Sequence, residues 1–484
     1  MRKSTGAALL VLALAGCAQP TPEQKIVDDA AAALGGRDAV LAVKSLTLEG
    51  EGTNGNLGQD MTPEATGQTF KVTGYSRTVD LVGERMHIEQ TRTPAFTFFQ
   101  GPAPQKQVQG VDGDVAYNVA PNGTATRTPD PVARDRRDDI YHHPLTLIRA
   151  ALDPAAKLVN PRTAGNERVV DVTTAKGQTY TLAIDGTTSL PTRVGSMRYN
   201  ANLGDVLVET AFSDYQDAGG LKLPARLVTK TDAFPTVDLR LTKQTLDAGG
   251  DLAAPAAAAS AAAVPAAPPA NVVVTELAKG IWLLAGQSHH SVLVEFADHL
   301  TLIEAPQNDT RALAVIAKAR ELRPGKPLTH VISTHHHFDH SGGIRAAVAE
   351  GLTVIARKNS EAFYKDAVGR SHTIVQDALA KSPKPLTIEA VAQDTELKDA
   401  AMTMQLLTVD GSPHGDTMLM AYFPKERLLV EADVYSPAAA VHPFAANLLD
   451  NVKKRNVKVD RIVPIHGTVV PFGDLEKVVA PPVS

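Results

Sequence analysis

The chain has 484 residues, 43% apolar and 21% charged, with a formal net charge of −5. That length accommodates two or three domains, each with its own core. A mildly acidic balance without basic runs argues against a nucleic-acid partner, and a single cysteine, Cys17, excludes an internal disulfide.

Met1-Arg2-Lys3 followed by the apolar run Ala7 to Ala15 has the charged and apolar regions of a secretory signal. The run is too short to span a bilayer as a helix. It ends in Leu14-Ala15-Gly16-Cys17, which resembles the lipobox of bacterial lipoproteins. The resemblance implies that residues 1–16 are a removed signal peptide and that Cys17 is the lipidated first residue of the mature chain. Acyl chains at about 0.8 kcal/mol per buried methylene would anchor it firmly to a membrane. By the same resemblance, Ala18 in place of the aspartate that commonly retains such lipoproteins at the inner membrane implies the outer membrane, facing the periplasm.

Residues 17–39 read as a tether and a short helix. Pro22 suits a helix start, Ile26, Val27, Ala30 and Leu34 mark one face, and Gly35-Gly36 ends it. From residue 40 to 247 the pattern changes to alternation, as in Met86-His87-Ile88-Glu89 and Thr179-Tyr180-Thr181-Leu182. Turn signals such as Asp112-Gly113 and Asn122-Gly123 separate these runs, which predicts a mainly antiparallel β domain. The segment His142 to Arg149 starts a short helix crossing it, and His142 and His143 read as structural. The run from Leu182 to Arg226 resembles the half-barrels of lipoprotein carriers, which implies shelter for acyl chains or other apolar ligands. Residues 248–271 are Ala/Pro-rich and read as a semi-extended linker.

The second domain, residues 272–484, mixes short apolar strands with helices at Arg311 to Leu322, Gly342 to Glu350, Ser360 to Val368 and Phe444 to Arg455. Ser291 to Phe296 and Leu300 to Glu304 read as a hairpin. Gln287-Ser288-His289-His290 reads as a solvated turn, His330 and His372 as structural, and no substrate role is assigned to Tyr435 or His442. The densest chemistry is Thr334-His335-His336-His337-Phe338-Asp339-His340-Ser341, which follows the buried strand His330 to Ser333. In extended chain, alternate residues share a side, so His335, His337 and Asp339 can converge while His336 and Phe338 face away. His340 reaches the same region where the chain turns into a helix capped by Ser341. Imidazole and carboxylate are the ligands zinc takes when no thiolate is present. Three more candidates stand at strand ends: His414 after Met402 to Val409, Asp433 at the end of Leu428 to Asp433, and His466 after Ile462 to Ile465.

His-x-His-x-Asp-His, with His414, Asp433 and His466 in order behind it, resembles the ligand set of the metallo-β-lactamase-fold hydrolases over about residues 272–471. The resemblance implies an α/β fold, the αββα sandwich, preceded here by the antiparallel β domain. It implies two metal ions, one held by His335, His337 and His414, the other by Asp339, His340 and His466, with Asp433 bridging. Zinc is the default, and iron or manganese also suits nitrogen and oxygen ligands. Asp339 would be catalytic, orienting a bridging hydroxide and relaying its proton. The substrate would be a small molecule, lipid-like if the β domain presents it, with an ester, lactone, thioester or amide-like bond. Typical zinc β-lactamases carry cysteine or serine where Asp433 stands, which weighs against a dedicated β-lactamase. The usual aspartate after the second hairpin strand is here Glu304. An iron-dependent oxidative enzyme on the same fold and a non-catalytic lipid-binding envelope lipoprotein are the alternatives.

Overall fold

The computed structural model describes residues 19–480 except 98, 268 and 269. Cys17 and the segment expected to be a signal peptide lie outside the described residues. Among the described residues, no helix is long and apolar enough to cross a membrane.

The helix Pro22–Leu34 opens on Thr21, whose hydroxyl accepts from the Gln24 amide at 3.3 Å, and stops at Gly35, where φ is +134°. Its face of Ile26, Val27, Ala30, Ala31 and Leu34 is buried. Among the described residues, thirteen antiparallel strands form one sheet around that face. Ser45–Gly55 is central, paired on one side with Thr69–Asp80 and on the other with Phe234–Leu246. The edge strands, Ala125–Arg127 and Lys157–Ala164, are neighbours in the chain. The helices Asp130–Tyr141 and Pro144–Ala151 carry the chain from one edge to the other. Leu145, Leu147 and Ile148 of the second helix join Leu46, Leu48, Val72, Val170 and Leu182 in the same core, each full burial contributing about 1.5–3 kcal/mol.

His142 and His143 start that second helix inside the core. His142 lies 3.0 Å from Thr210 Oγ1 and 2.9 Å from Ser196 Oγ, so both ring nitrogens have partners. Burial pushes both imidazoles down to about 3 and keeps them neutral. The Ala/Pro-rich stretch lies along the β domain. Among its described residues, Ala256–Ala259 form a helical turn, the Ala254 amide donates to Asp112 Oδ2 at 3.0 Å, and Arg127 donates to the Ala261 carbonyl at 3.1 Å.

In the second domain the period-two pattern divides each strand between two cores. Ile281, Leu283, Val292, Val294 and Ile303 point inward onto Met404, Leu406, Leu419, Val430 and Val463 of a second sheet. Trp282, Leu284, Leu293 and Leu302 point outward onto Val315, Ile316 and Ala319 of the helix Asp309–Leu322. On the far side, Leu407, Met420, Leu429 and Ile462 pack on Leu448, Leu449 and Val452 of the helix Ala445–Lys454. The layers are therefore helix, sheet, sheet, helix, with seven strands in one sheet and six in the other among the described residues.

Leu300–Ile303, Leu328–Ile332 and Thr353–Arg357 run parallel, as do Leu428–Glu431 and Arg461–Pro464. Their carboxyl ends therefore emerge along shared edges, where open α/β sheets place their crevice.

Candidate metal centre

The chain folds into a helical turn, Phe338–Ser341, directly after His337, sooner than the alternation argument allows. The second helix, Ile344–Ala349, starts after Gly343, and Ser341 does not cap it. The Ser341 hydroxyl donates instead to the His336 carbonyl at 3.1 Å. This turn separates Asp339 from His335 and His337, so the three do not share one side. His336 faces away as expected, its Nδ1 2.7 Å from Thr417 Oγ1.

Two groups of potential ligand atoms result, each with all its atoms within 4.8 Å of one another. The first is His335, His337, His414 and Asp433; the second is His289, Asp339, His340 and His466. In the first, His335 Nδ1 lies 3.0 Å from Thr334 Oγ1, which leaves Nε2 facing inward. His337 is reversed: its Nε2 donates to the Asp60 carbonyl at 2.9 Å, and Nδ1 faces inward. His335 Nε2, His337 Nδ1 and His414 Nε2 are buried and without a hydrogen-bond partner.

Asp433 stands between the groups. Its Oδ2 lies 3.1 Å from His414 Nε2, not aligned as a hydrogen bond, and 3.1 Å from His340 Nε2. Its Oδ1 lies 3.0 Å from His466 Nε2. The backbone at Asp433 is left-handed, φ +64°, a conformation that aspartate tolerates. In the second group, His289 Nε2 is 3.1 Å and His340 Nε2 3.9 Å from Asp339 Oδ2. The His466 ring centre is 4.0 Å from that of His289.

Glu304 is fully buried and accepts from the Thr334 amide at 2.8 Å, while its Oε2 lies 3.0 Å from His340 Nδ1. It thereby fixes the His340 tautomer and turns Nε2 toward Asp433. The backbone at Glu304 is left-handed, φ +71°.

Burial holds His335 and His337 well below the ordinary imidazole range. Burial opposes ionisation of Asp433, yet the neighbouring His340 and His466 hold its carboxyl well below the usual range. Against burial, Asp433 and Glu304 push the His340 imidazole well above its ordinary range and Asp433 raises His466, so a cation there would displace protons, because a metal binds neutral imidazole and ionised carboxylate. Two of the buried nitrogens, His335 Nε2 and His337 Nδ1, have no close polar partner and would otherwise cost about 1–3 kcal/mol each. The donor set fits a divalent cation in each group.

Residues 285–434 match the family described as the metallo-beta-lactamase superfamily. The C-terminal domain has the metallo-β-lactamase fold.

Similar solved structures include the metallo-beta-lactamase FIM-1 from Pseudomonas aeruginosa in its mono-zinc form, at 17% identity and TM-score 0.34, which covers 43% of this chain and 94% of its own. A metallo-beta-lactamase from Pontibacter korlensis is 16% identical, with TM-score 0.32 and coverage of 43% and 96%. The stereoselective inverting sec-alkylsulfatase Pisa1 from Pseudomonas sp. is 18% identical, with TM-score 0.32 and coverage of 43% and 40%. No curated protein sequence matches the chain.

The β domain adds its own groups to the centre of this metallo-β-lactamase fold. The loop between its first two strands inserts beside the histidine cluster. Gln59 Nε2 donates to Asp339 Oδ1 at 2.8 Å, the Phe338 amide donates to the Gly58 carbonyl at 3.1 Å, and the Asp416 amide to that of Met61 at 3.0 Å. Gly58 is required there: φ is +73°, and a Cβ would fall 2.2 Å from the Phe338 ring. From a second loop, Gln100 Nε2 donates to the Asp433 carbonyl at 2.8 Å.

His289 and Gln59 are the members that sequence reading leaves out. His289 is buried beside Asp339, not in a solvated turn. Its one available signal was the His-His pair immediately before a buried strand. Neither Tyr435 nor His442 lines the cleft beside His414 and His466.

Proposed function

We propose that the chain is a metal-dependent hydrolase of a small-molecule ester, lactone, thioester or amide-like substrate. The observation that carries this reading is Asp433, set between two groups of inward-facing donors and within 3.1 Å of His340, His414 and His466. Two bound cations would supply Lewis acidity and a water acidified toward neutral pH, which is the chemistry hydrolysis requires. His335, His337 and His414 would hold one ion, Asp339, His340 and His466 the other, with His289 beside the second.

Asp339 is the group placed to orient the attacking water and take its proton. Its two oxygens are steered by Gln59 and His289, and about a third of its side chain remains exposed. Zinc is the preferred ion for a site without thiolate, and iron or manganese satisfies the same donors. The lipobox-like start supports a lipid-anchored protein of the bacterial outer membrane, so the substrate would be met in the cell envelope.

The test is a panel of ester, lactone, thioester and β-lactam substrates assayed with the zinc-loaded full chain and its His337→Ala variant. Wild-type protein is expected to turn over at least one class. The variant should lose more than the roughly 10–100-fold typical of an outer-shell partner, together with bound zinc. Full activity in the variant contradicts the assignment.

A further inference from the structure

A cleft of about 680 Å³ opens over His414, Asp433 and His466, and its other wall belongs to the β domain. Phe70, Phe96 and Phe99 meet there edge to face, with ring centres 5.4–5.9 Å apart. Strand register brings the polar groups to the same place. Arg92 pairs across the sheet with Val72 on one side and Gln105 on the other, so it shares a face with Phe70, two residues from Val72. Its guanidinium lies 4.3 Å over the Phe70 ring. Nε and Nη2 donate to Gln105 Oε1 at 3.1 and 2.7 Å.

Among the described residues, Arg92 is the one lysine or arginine lining this cleft, no carboxylate pairs with it, and its Nη1 makes no hydrogen bond. Stacking and the Gln105 bonds fix the plane of the fork and leave one corner to a ligand. Arg is suited to oxyanions because its planar donors match them. An apolar aromatic wall with a single convergent cation is the composition of a small-molecule subsite.

We propose that this wall is the substrate-recognition subsite. It takes an amphiphilic acid, an apolar chain or ring against Phe96 and Phe99, which the buried Phe70 backs, with its anionic group on Arg92. The β domain thus selects what the metal domain cleaves, and Gln100, bonded to the Asp433 carbonyl, joins the wall to the centre. The inference rests on the hydrolytic reading only in taking the ligand to be the substrate.

The test measures calorimetric binding of phenylalkanoic acids of increasing chain length, and of their uncharged primary amides, to the zinc-loaded full chain. At the best length the acid is expected to bind about tenfold or more tightly than its amide. Arg92→Gln should erase that preference and Arg92→Lys should retain part of it. Phe99→Ala should weaken acid and amide alike. If Arg92→Gln keeps the preference, the carboxylate is held by the metal ions and the proposal is overturned. Equal binding of acid and amide, or no binding of either, also overturns it. Hydrolysis without this discrimination would sink the subsite and leave the hydrolase, whereas the expected binding without any hydrolysis would do the reverse.

Discussion

Asp433→Asn is expected to strip the centre of metal and of turnover while leaving the fold intact. The substitution keeps the shape of the side chain, and asparagine, like aspartate, accepts the left-handed backbone at this position. What it removes is the negative charge facing His335, His340, His414 and His466. Cations held by neutral imidazoles lose their shared counter-charge, and an amide nitrogen cannot coordinate in place of the second oxygen. The loss in kcat/KM should exceed the roughly 10–100-fold of outer-shell changes. Elemental analysis should show depleted metal, and circular dichroism should be unchanged. A variant that keeps its full metal complement would show that Asp433 does not join the two groups.

Arg311→Ala is expected to produce the largest loss of stability. Arg311 is fully buried in the first turn of Asp309–Leu322, and no carboxylate pairs with it. It donates instead to three backbone carbonyls: Asn271 at 3.0 Å, Leu284 at 2.9 Å and His289 at 3.1 Å. Truncation leaves these acceptors unsatisfied, at about 1–3 kcal/mol each, and opens a cavity. A net loss of roughly 3–5 kcal/mol follows, since partial relaxation recovers some of the sum. Urea unfolding should report it as a lower midpoint for the metal domain. Because one of the carbonyls belongs to His289, zinc affinity should fall as well. An unfolding free energy within about 1 kcal/mol of wild type would contradict this expectation.

The layered fold and most of the centre were legible in the sequence for a physical reason. Ligands at strand ends follow short apolar runs, and those runs alternate between two cores, as Ile281 and Leu283 do against Trp282 and Leu284. Each strand end can thus be read locally. The grouping of Asp339 was not legible from alternation, because the chain leaves the extended state at Phe338. The resemblance to a known ligand set groups Asp339 with His340 and His466, whose potential ligand atoms lie within 4.8 Å of its own.

His289 was missed because its partners, Asp339, His340 and His466, are distant in sequence and nothing in a turn marks burial. The β-domain residues were less legible still. Gln59, Gln100 and Arg92 reach the cleft through the packing of one domain on another, and no local pattern encodes that. Gly58 is the nearest to a sequence trace, a glycine where the Phe338 ring leaves no room for a side chain.

If Asp433 joins two metal sites, full-length protein purified without added metal and exchanged into chelator-free buffer should hold, by elemental analysis, about two zinc, iron or manganese ions per chain, the number the two donor groups can take. A value at or below one ion per chain, unchanged when zinc is then supplied in excess, would contradict it.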